Sequence, residues 1–219
     1  MNFRESPILI VGMGSSGTSL LSKMVSMTDV FIHVSMEHYE SRIFTTALHD
    51  SFVMDGNWGK LPIMTVDEVL AKRGAFNNYL DKCLDEVLDD PSRSGRWGFK
   101  DPRTAVCLPL WLERFPGSSV IHIVREPNAV VASLVGCRKR VLGECKSPSY
   151  WVELRQQFVG RIRSYGPMFG GGYYEVTYEG LVLNPKSILP VLGALGAVET
   201  PELLEFLDSG VYAHRVVAR

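Results

Sequence analysis

Short unbroken apolar runs alternate along the chain with longer stretches whose apolar positions recur every three or four residues. The first run, at 8–12, reads as a buried strand, and 17–27 as the helix after it. Runs at 96–100, 118–124 and 173–178 predict three more strands, and 30–34 a short one. Helical spacing marks 37–52, 108–115, 128–140 and a tail over about 185–206. Thr65 with Glu68 three residues later is a capping-box pair. It opens an amphipathic helix predicted to run to about Leu88, with Val69, Phe76, Leu80 and Leu84 near one face and Gly74 inside it. Gly56, Gly59 and Pro62 make 53–64 a loop. Strands separated by helices predict an α/β fold, a parallel sheet flanked by helices on both faces.

Composition narrows this. The 219 residues suit a single domain over 1–219, and 46% apolar residues suffice for a full core. A formal charge of −1 carries no electrostatic footprint for nucleic acid. No apolar run approaches the ~20 residues of a membrane span, and the polar start lacks a leader core. Cys83, Cys107, Cys137 and Cys145 are scattered, without a C-x-x-C pair, and read as free thiols in the cytoplasm. His33, His49, His122 and His214 have no metal-ligand spacing, so no metal site is expected. His122 alternates into an apolar strand as a core histidine, and Trp58, Trp111 and Trp151 read as core or pocket wall.

The candidate chemistry starts at Gly12-Met13-Gly14-Ser15-Ser16-Gly17-Thr18-Ser19, between the first strand and its helix. A glycine loop entering a helix presents unpaired N–H groups and the positive end of the helix dipole to an anion. An ATP-binding P-loop carries lysine where this chain has Thr18. Gly12, Gly14 and Gly17 also fit a dinucleotide fingerprint, with Glu37 at about the distance that motif requires of its acidic residue. An ordinary glycine-rich turn is the plain alternative.

Two further segments bear on the choice. The strand at 118–124 delivers Arg125 to its carboxyl end, where open α/β sheets bind ligands, with Ser133 on the helix beyond. A guanidinium and a hydroxyl form a phosphate clamp, although a structural ion pair would also account for the arginine. The strand at 96–100 delivers Lys100, and Pro102 turns the chain. Lys100 reads either as a mobile ammonium aimed at the same crevice or as a solvated surface charge.

Taken in order, 12–21, 97–104 with 108–111, 124–134 and 176–185 resemble the sulfotransferases that use 3′-phosphoadenosine 5′-phosphosulfate (PAPS), most of all the small bacterial-type members. The resemblance runs over roughly 7–190. It implies a P-loop NTPase-like sulfotransferase fold, PAPS as donor and 3′,5′-ADP as product; the missing loop lysine adds the expectation that no metal is required. It also implies that Gly14, Ser15, Ser16, Gly17, Thr18 and Ser19 hold the 5′-phosphosulfate, Arg125 and Ser133 the 3′-phosphate, and that Tyr178 lies near the adenine. Lys100 matches a lysine beside the transferring sulfuryl group, and Glu40 an acidic position able to act as base, ahead of Glu37, His38 and Asp101.

The chain departs from that pattern at Ser15, where the family usually has arginine or lysine. Lys100 is then the nearest candidate cation, with Arg103 behind it. The arginine-lysine-glycine loop near the C-terminus of many members is not found, and Arg215 is the candidate substitute. Two other functions stay open: a P-loop kinase or nucleotide hydrolase, and a degenerate homologue that binds nucleotide without turnover. The expected partner is a small-molecule or carbohydrate acceptor, bound by 31–64 and 138–150, whose Phe, Met, Trp and Tyr also suit a phenol or a lipid-like alcohol.

Overall fold

The structure, a computed structural model, describes residues 6–34, 39–41, 43–44, 49, 59–88, 95–142 and 146–209. Five parallel strands, β1 Ile8–Val11, β2 Phe31–Ile32, β3 Trp97–Lys100, β4 Ser119–Val124 and β5 Tyr173–Thr177, form one sheet in the order β2-β3-β1-β4-β5. Ile8 lies opposite Gly98 on β3 and Ser119 on β4, so β1 is central and the chain leaves it in both directions. Such a reversal opens a crevice at the carboxyl ends of the strands.

Alternation along β1 divides the core. Leu9 and Val11 face a layer made by α3 (Arg73–Leu88), α4 (Thr104–Arg114) and α6 (Pro148–Tyr165), with part of α5 (Pro127–Leu142). Trp111 of α4 is fully buried there, 4.9 Å from the Phe99 ring and 5.5 Å from Phe76. Burying an aromatic ring of this kind contributes about 2–3 kcal/mol. Ile8 and Ile10 face the other layer, made by α1 (Thr18–Ser26), α7 (Tyr178–Leu183), α8 (Leu189–Ala194) and α9 (Pro201–Asp208). Both faces of the sheet are covered, as the apolar runs predict.

The expected strands are present, with the second reduced to Phe31–Ile32. The helix expected over 65–88 is two helices, α2 (Val66–Leu70) and α3. The capping box starts α2 as predicted: Thr65 Oγ1 accepts from Glu68 N, and Glu68 accepts from Thr65 N. The helix expected at 108–115 starts earlier, at Thr104, and Pro109 lies inside it. The tail is a 3₁₀ turn followed by α8 and α9, interrupted by Gly196 at φ 67°. Sequence reasoning missed α6, although Ser147 caps it, Pro148 opens it, and Trp151, Leu154, Phe158 and Ile162 form its buried stripe. Most of the stretches expected as a helix at 37–52 and a loop at 53–64 lies outside the described residues, as do Glu37, His38, Trp58, His214 and Arg215.

Candidate active site

Four of the five strands end at the crevice. The carboxyl end of β1 leads into the glycine loop, that of β3 carries Lys100, that of β4 Arg125 and that of β5 Tyr178. The loop needs its glycines. Gly17 adopts φ 101°, and a Cβ there would lie 2.3 Å from Tyr178 Cδ2. A Cβ on Gly12 would lie 2.7 Å from both the Ile123 carbonyl and Ser16 Oγ. Ser15 takes the left-handed conformation at φ 68°, an uncommon one for serine.

Ser16 and Thr18 are buried, and Ser16 Oγ has no hydrogen-bond partner among the described residues. Gly14, Ser15, Gly17 and Ser19 are partly exposed. An orphaned buried hydroxyl inside a glycine loop at the start of a nine-residue helix suits an anion.

Arg125 is held against this loop. Its Nη1 donates to the Ser15 carbonyl at 3.1 Å, and its guanidinium carbon stands 4.5 Å from the centre of the Tyr178 ring. Its Nε is buried with no hydrogen-bond partner among the described residues, which leaves an edge of the planar fork for a bidentate oxyanion. Ser133 is half-buried on α5, the helix that follows.

Lys100 differs from both sequence expectations, being neither a mobile ammonium nor a solvated surface charge. Its side chain is 1% exposed, and Nζ donates to Glu40 Oε1 at 2.8 Å. Burial pulls its pKa below the usual lysine value, and the Glu40 carboxylate opposes that pull in part. Arg103 Nη1 stands 3.9 Å from the other Glu40 oxygen. The residues expected as the cation beside the sulfuryl group and as the base are therefore direct partners.

Behind them lies a network that the sequence did not reveal. Asp101 is fully buried; its Oδ2 accepts from His49 Nδ1 at 2.5 Å and its Oδ1 from Arg103 N at 3.0 Å. His49 Nε2 in turn accepts from Trp111 Nε1 at 2.9 Å, so the ring carries its hydrogen on Nδ1. Burial alone would raise the Asp101 carboxyl, but the His49 hydrogen bond and the Arg103 charge hold it below the ordinary value. Asp101 is thus a structural anchor for the turn that carries Lys100 and Arg103, with both oxygens engaged, and not an available base.

The remaining sequence expectations concern residues away from the crevice. His122 is a buried core histidine, bonded through Nδ1 to the Tyr173 hydroxyl at 2.8 Å. Trp111 and Trp151 are core. Among the described residues there is no group of His, Cys, Asp and Glu arranged for a metal ion, and no helix long and apolar enough to cross a membrane.

A glycine loop after the central strand of a parallel sheet, with an arginine directly after the neighbouring strand β4, is the layout of a P-loop-like fold. Residues 7–196 match the model of the sulfotransferase family, and the chain belongs to that family. No curated protein matches it in sequence. The fold is similar to the sulfotransferase domain from the curacin biosynthetic pathway, at TM-score 0.61 and 20% identity over 92% of this chain and 77% of that one. It is also similar to a sulfotransferase from Alicyclobacillus acidocaldarius, at TM-score 0.61 and 14% identity over 98% and 93% of the two chains. Mouse sulfotransferase SULT7A1, solved in complex with PAP, aligns at TM-score 0.58 and 15% identity over 94% of this chain and 65% of its own.

Proposed function

We propose that the protein transfers a sulfuryl group from PAPS to a hydroxyl or amine of a small-molecule or carbohydrate acceptor and releases 3′,5′-ADP. The observation that carries this reading is Arg125, braced on the loop and the Tyr178 ring with its Nε unpartnered among the described residues. That arrangement suits a second phosphate beside the one the loop would hold. The donor supplies an activated sulfur whose bond to the bridging oxygen breaks as the acceptor oxygen or nitrogen bonds to it. Loop amides and Ser16 Oγ bind the 5′-phosphosulfate, Arg125 and Ser133 the 3′-phosphate, and Tyr178 lies beside the adenine. Lys100 donates to the oxygens that gain charge as the leaving group departs. Glu40, whose side chain keeps 21% of its surface exposed, takes the acceptor proton.

Calorimetry with 3′,5′-ADP and 5′-ADP tests this. Wild type binds 3′,5′-ADP more tightly by about 10- to 100-fold, the value of one or two charge-assisted hydrogen bonds, and Arg125→Ala removes the preference. Equal affinities in wild type sink the PAPS reading. Activity survives EDTA, because a sulfuryl group carries less charge than a terminal phosphoryl group. Activity lost to EDTA, with ATP the better donor, would favour a kinase.

A second reading, nucleotide binding without turnover, draws support from Ser15 in place of the family's cation and from Glu40 already occupying Lys100. Tight 3′,5′-ADP binding with no sulfated product across a broad acceptor panel would favour it.

A further inference from the structure

The peptide joining Arg125 to Glu126 is held at both ends by ionisable side chains from opposite faces of the sheet. Arg155 Nη2, on α6, donates to the Arg125 carbonyl at 3.0 Å. Glu179 Oε1, on α7, accepts from Glu126 N at 3.0 Å. A trans peptide directs its C=O and N–H to opposite sides, so one unit receives a cation at one end and an anion at the other. The two helices belong to different layers. Around Arg155, α6 buries Trp151, Leu154 and Phe158 in one core, and α7 buries Leu181 in the other. Among the described residues neither Arg155 nor Glu179 forms a salt bridge, and the hydrogen bond each makes is to this backbone, while the Arg155 charge also acts on the Glu126 carboxylate.

The consequence is directional. The side chain of Arg125 leaves the chain at the gripped peptide and, among the described residues, is supported by the Ser15 carbonyl and the Tyr178 ring, with the Glu126 carboxylate adding an electrostatic attraction. Glu126 is otherwise occupied as a helix cap, its Oε2 accepting from Ala129 N at 2.7 Å. The orientation of the guanidinium therefore depends on how firmly its own peptide is set. Charge-assisted hydrogen bonds hold a backbone unit more tightly than neutral ones.

We infer that Arg155 and Glu179 are positioning residues that aim Arg125 and thereby set the discrimination for a ligand bearing a phosphate on the ribose 3′ oxygen. This rests on the nucleotide reading above and extends it to two residues that need not touch the ligand.

The test is calorimetry of 3′,5′-ADP and 5′-AMP, which differ only by the 3′-phosphate. In Arg155→Ala and Glu179→Ala the affinity ratio narrows by about tenfold, the worth of one hydrogen bond of ordinary strength, while 5′-AMP binding is unchanged. Arg155→Lys, which still offers a cationic donor, keeps most of the ratio. A role in stability alone would weaken both ligands together, and that result would overturn the inference. So would an unchanged ratio in variants that fold and melt like wild type. If Arg155→Ala does not fold, Glu179→Ala and Arg155→Lys make the same comparison. A wild-type ratio near one would overturn the nucleotide reading and this inference with it. A large wild-type ratio that no variant moves would overturn this inference alone.

Discussion

Lys100 and Glu40 share one hydrogen bond, Nζ to Oε1 at 2.8 Å, with the lysine side chain almost entirely out of water. On the proposed PAPS reading, an incoming phosphosulfate would compete with Glu40 for that ammonium, and the carboxylate would repel the donor anion. Glu40→Gln should therefore bind 3′,5′-ADP about two- to fivefold more tightly, as loss of a partly exposed charge repulsion allows, while its turnover falls. Lys100→Met should lower kcat by about 10²–10³-fold with a smaller change in nucleotide affinity, as for other single transition-state donors. Binding by calorimetry and turnover on a common acceptor check both. A Glu40→Gln enzyme with weakened nucleotide binding would show that the pair is a support for the site and not a competitor in it.

Gly17 has a left-handed backbone, and any side chain there would run into the Tyr178 ring. Gly17→Ala should destabilise the fold by about 1 kcal/mol or more through its positive φ. It should weaken 3′,5′-ADP binding further, because the new Cβ displaces the ring that supports Arg125. Nucleotide titration of protein confirmed as folded by thermal melting separates the two effects.

His49 satisfies two buried groups, the Asp101 carboxylate and the Trp111 N–H. His49→Ala strands both and should cost about 2–6 kcal/mol in urea unfolding, at about 1–3 kcal/mol per unsatisfied buried group. Asp101→Asn, which keeps an acceptor, should cost less than Asp101→Ala. A His49→Ala protein as stable as wild type would mean that water replaces the imidazole.

His122 supplies a pH dependence. Burial, opposed by Glu175, lowers its pKa from 6.5 to about 4. The groups facing it are Glu175, Tyr173, Arg163 and Arg155. Glu175, held to about 2 chiefly by its hydrogen bond to Arg163, stays ionised throughout this range. The unfolded chain binds a proton below pH 6.5 that the folded chain refuses until about pH 4, so this contribution is flat above 6.5 and stability is lost as pH falls toward 4. By pH 5 the loss is about 2 kcal/mol. Urea unfolding at pH 7 and pH 5 should show it, and His122→Asn should flatten that slope.

The alternation of apolar runs and helical stretches made the parallel sheet legible, because period and burial are local properties of the sequence. The glycine loop and Arg125 stood out for a related reason, since each follows directly from the end of an apolar strand, whereas Tyr178 entered only through the family resemblance. The environment of Lys100 was not legible. A lysine at a strand end looks solvated until a carboxylate sixty residues away in the chain is found beside it. His49, Asp101 and Trp111 form a network of the same kind, joined only by the fold. The missed α6 is different, since its cap and its buried stripe are both in the sequence. The split between α2 and α3 follows no strong breaker, and its signal was outweighed by the continuous amphipathic spacing.

The strand order also bears on how the chain assembles. Central β1 pairs with β3 and β4, partners far downstream of it, while β4 waits for β5 near the end of the sheet-forming sequence. Pairings of this kind close large loops before they gain contacts, which makes for slow folding. The loop, Lys100, Arg125 and Tyr178 come from four separate strand ends, so no partly assembled chain has the whole crevice. If the proposed function holds, nucleotide binding is then a late event in folding, and 3′,5′-ADP added during refolding should raise the final yield or slow unfolding without hastening the early collapse.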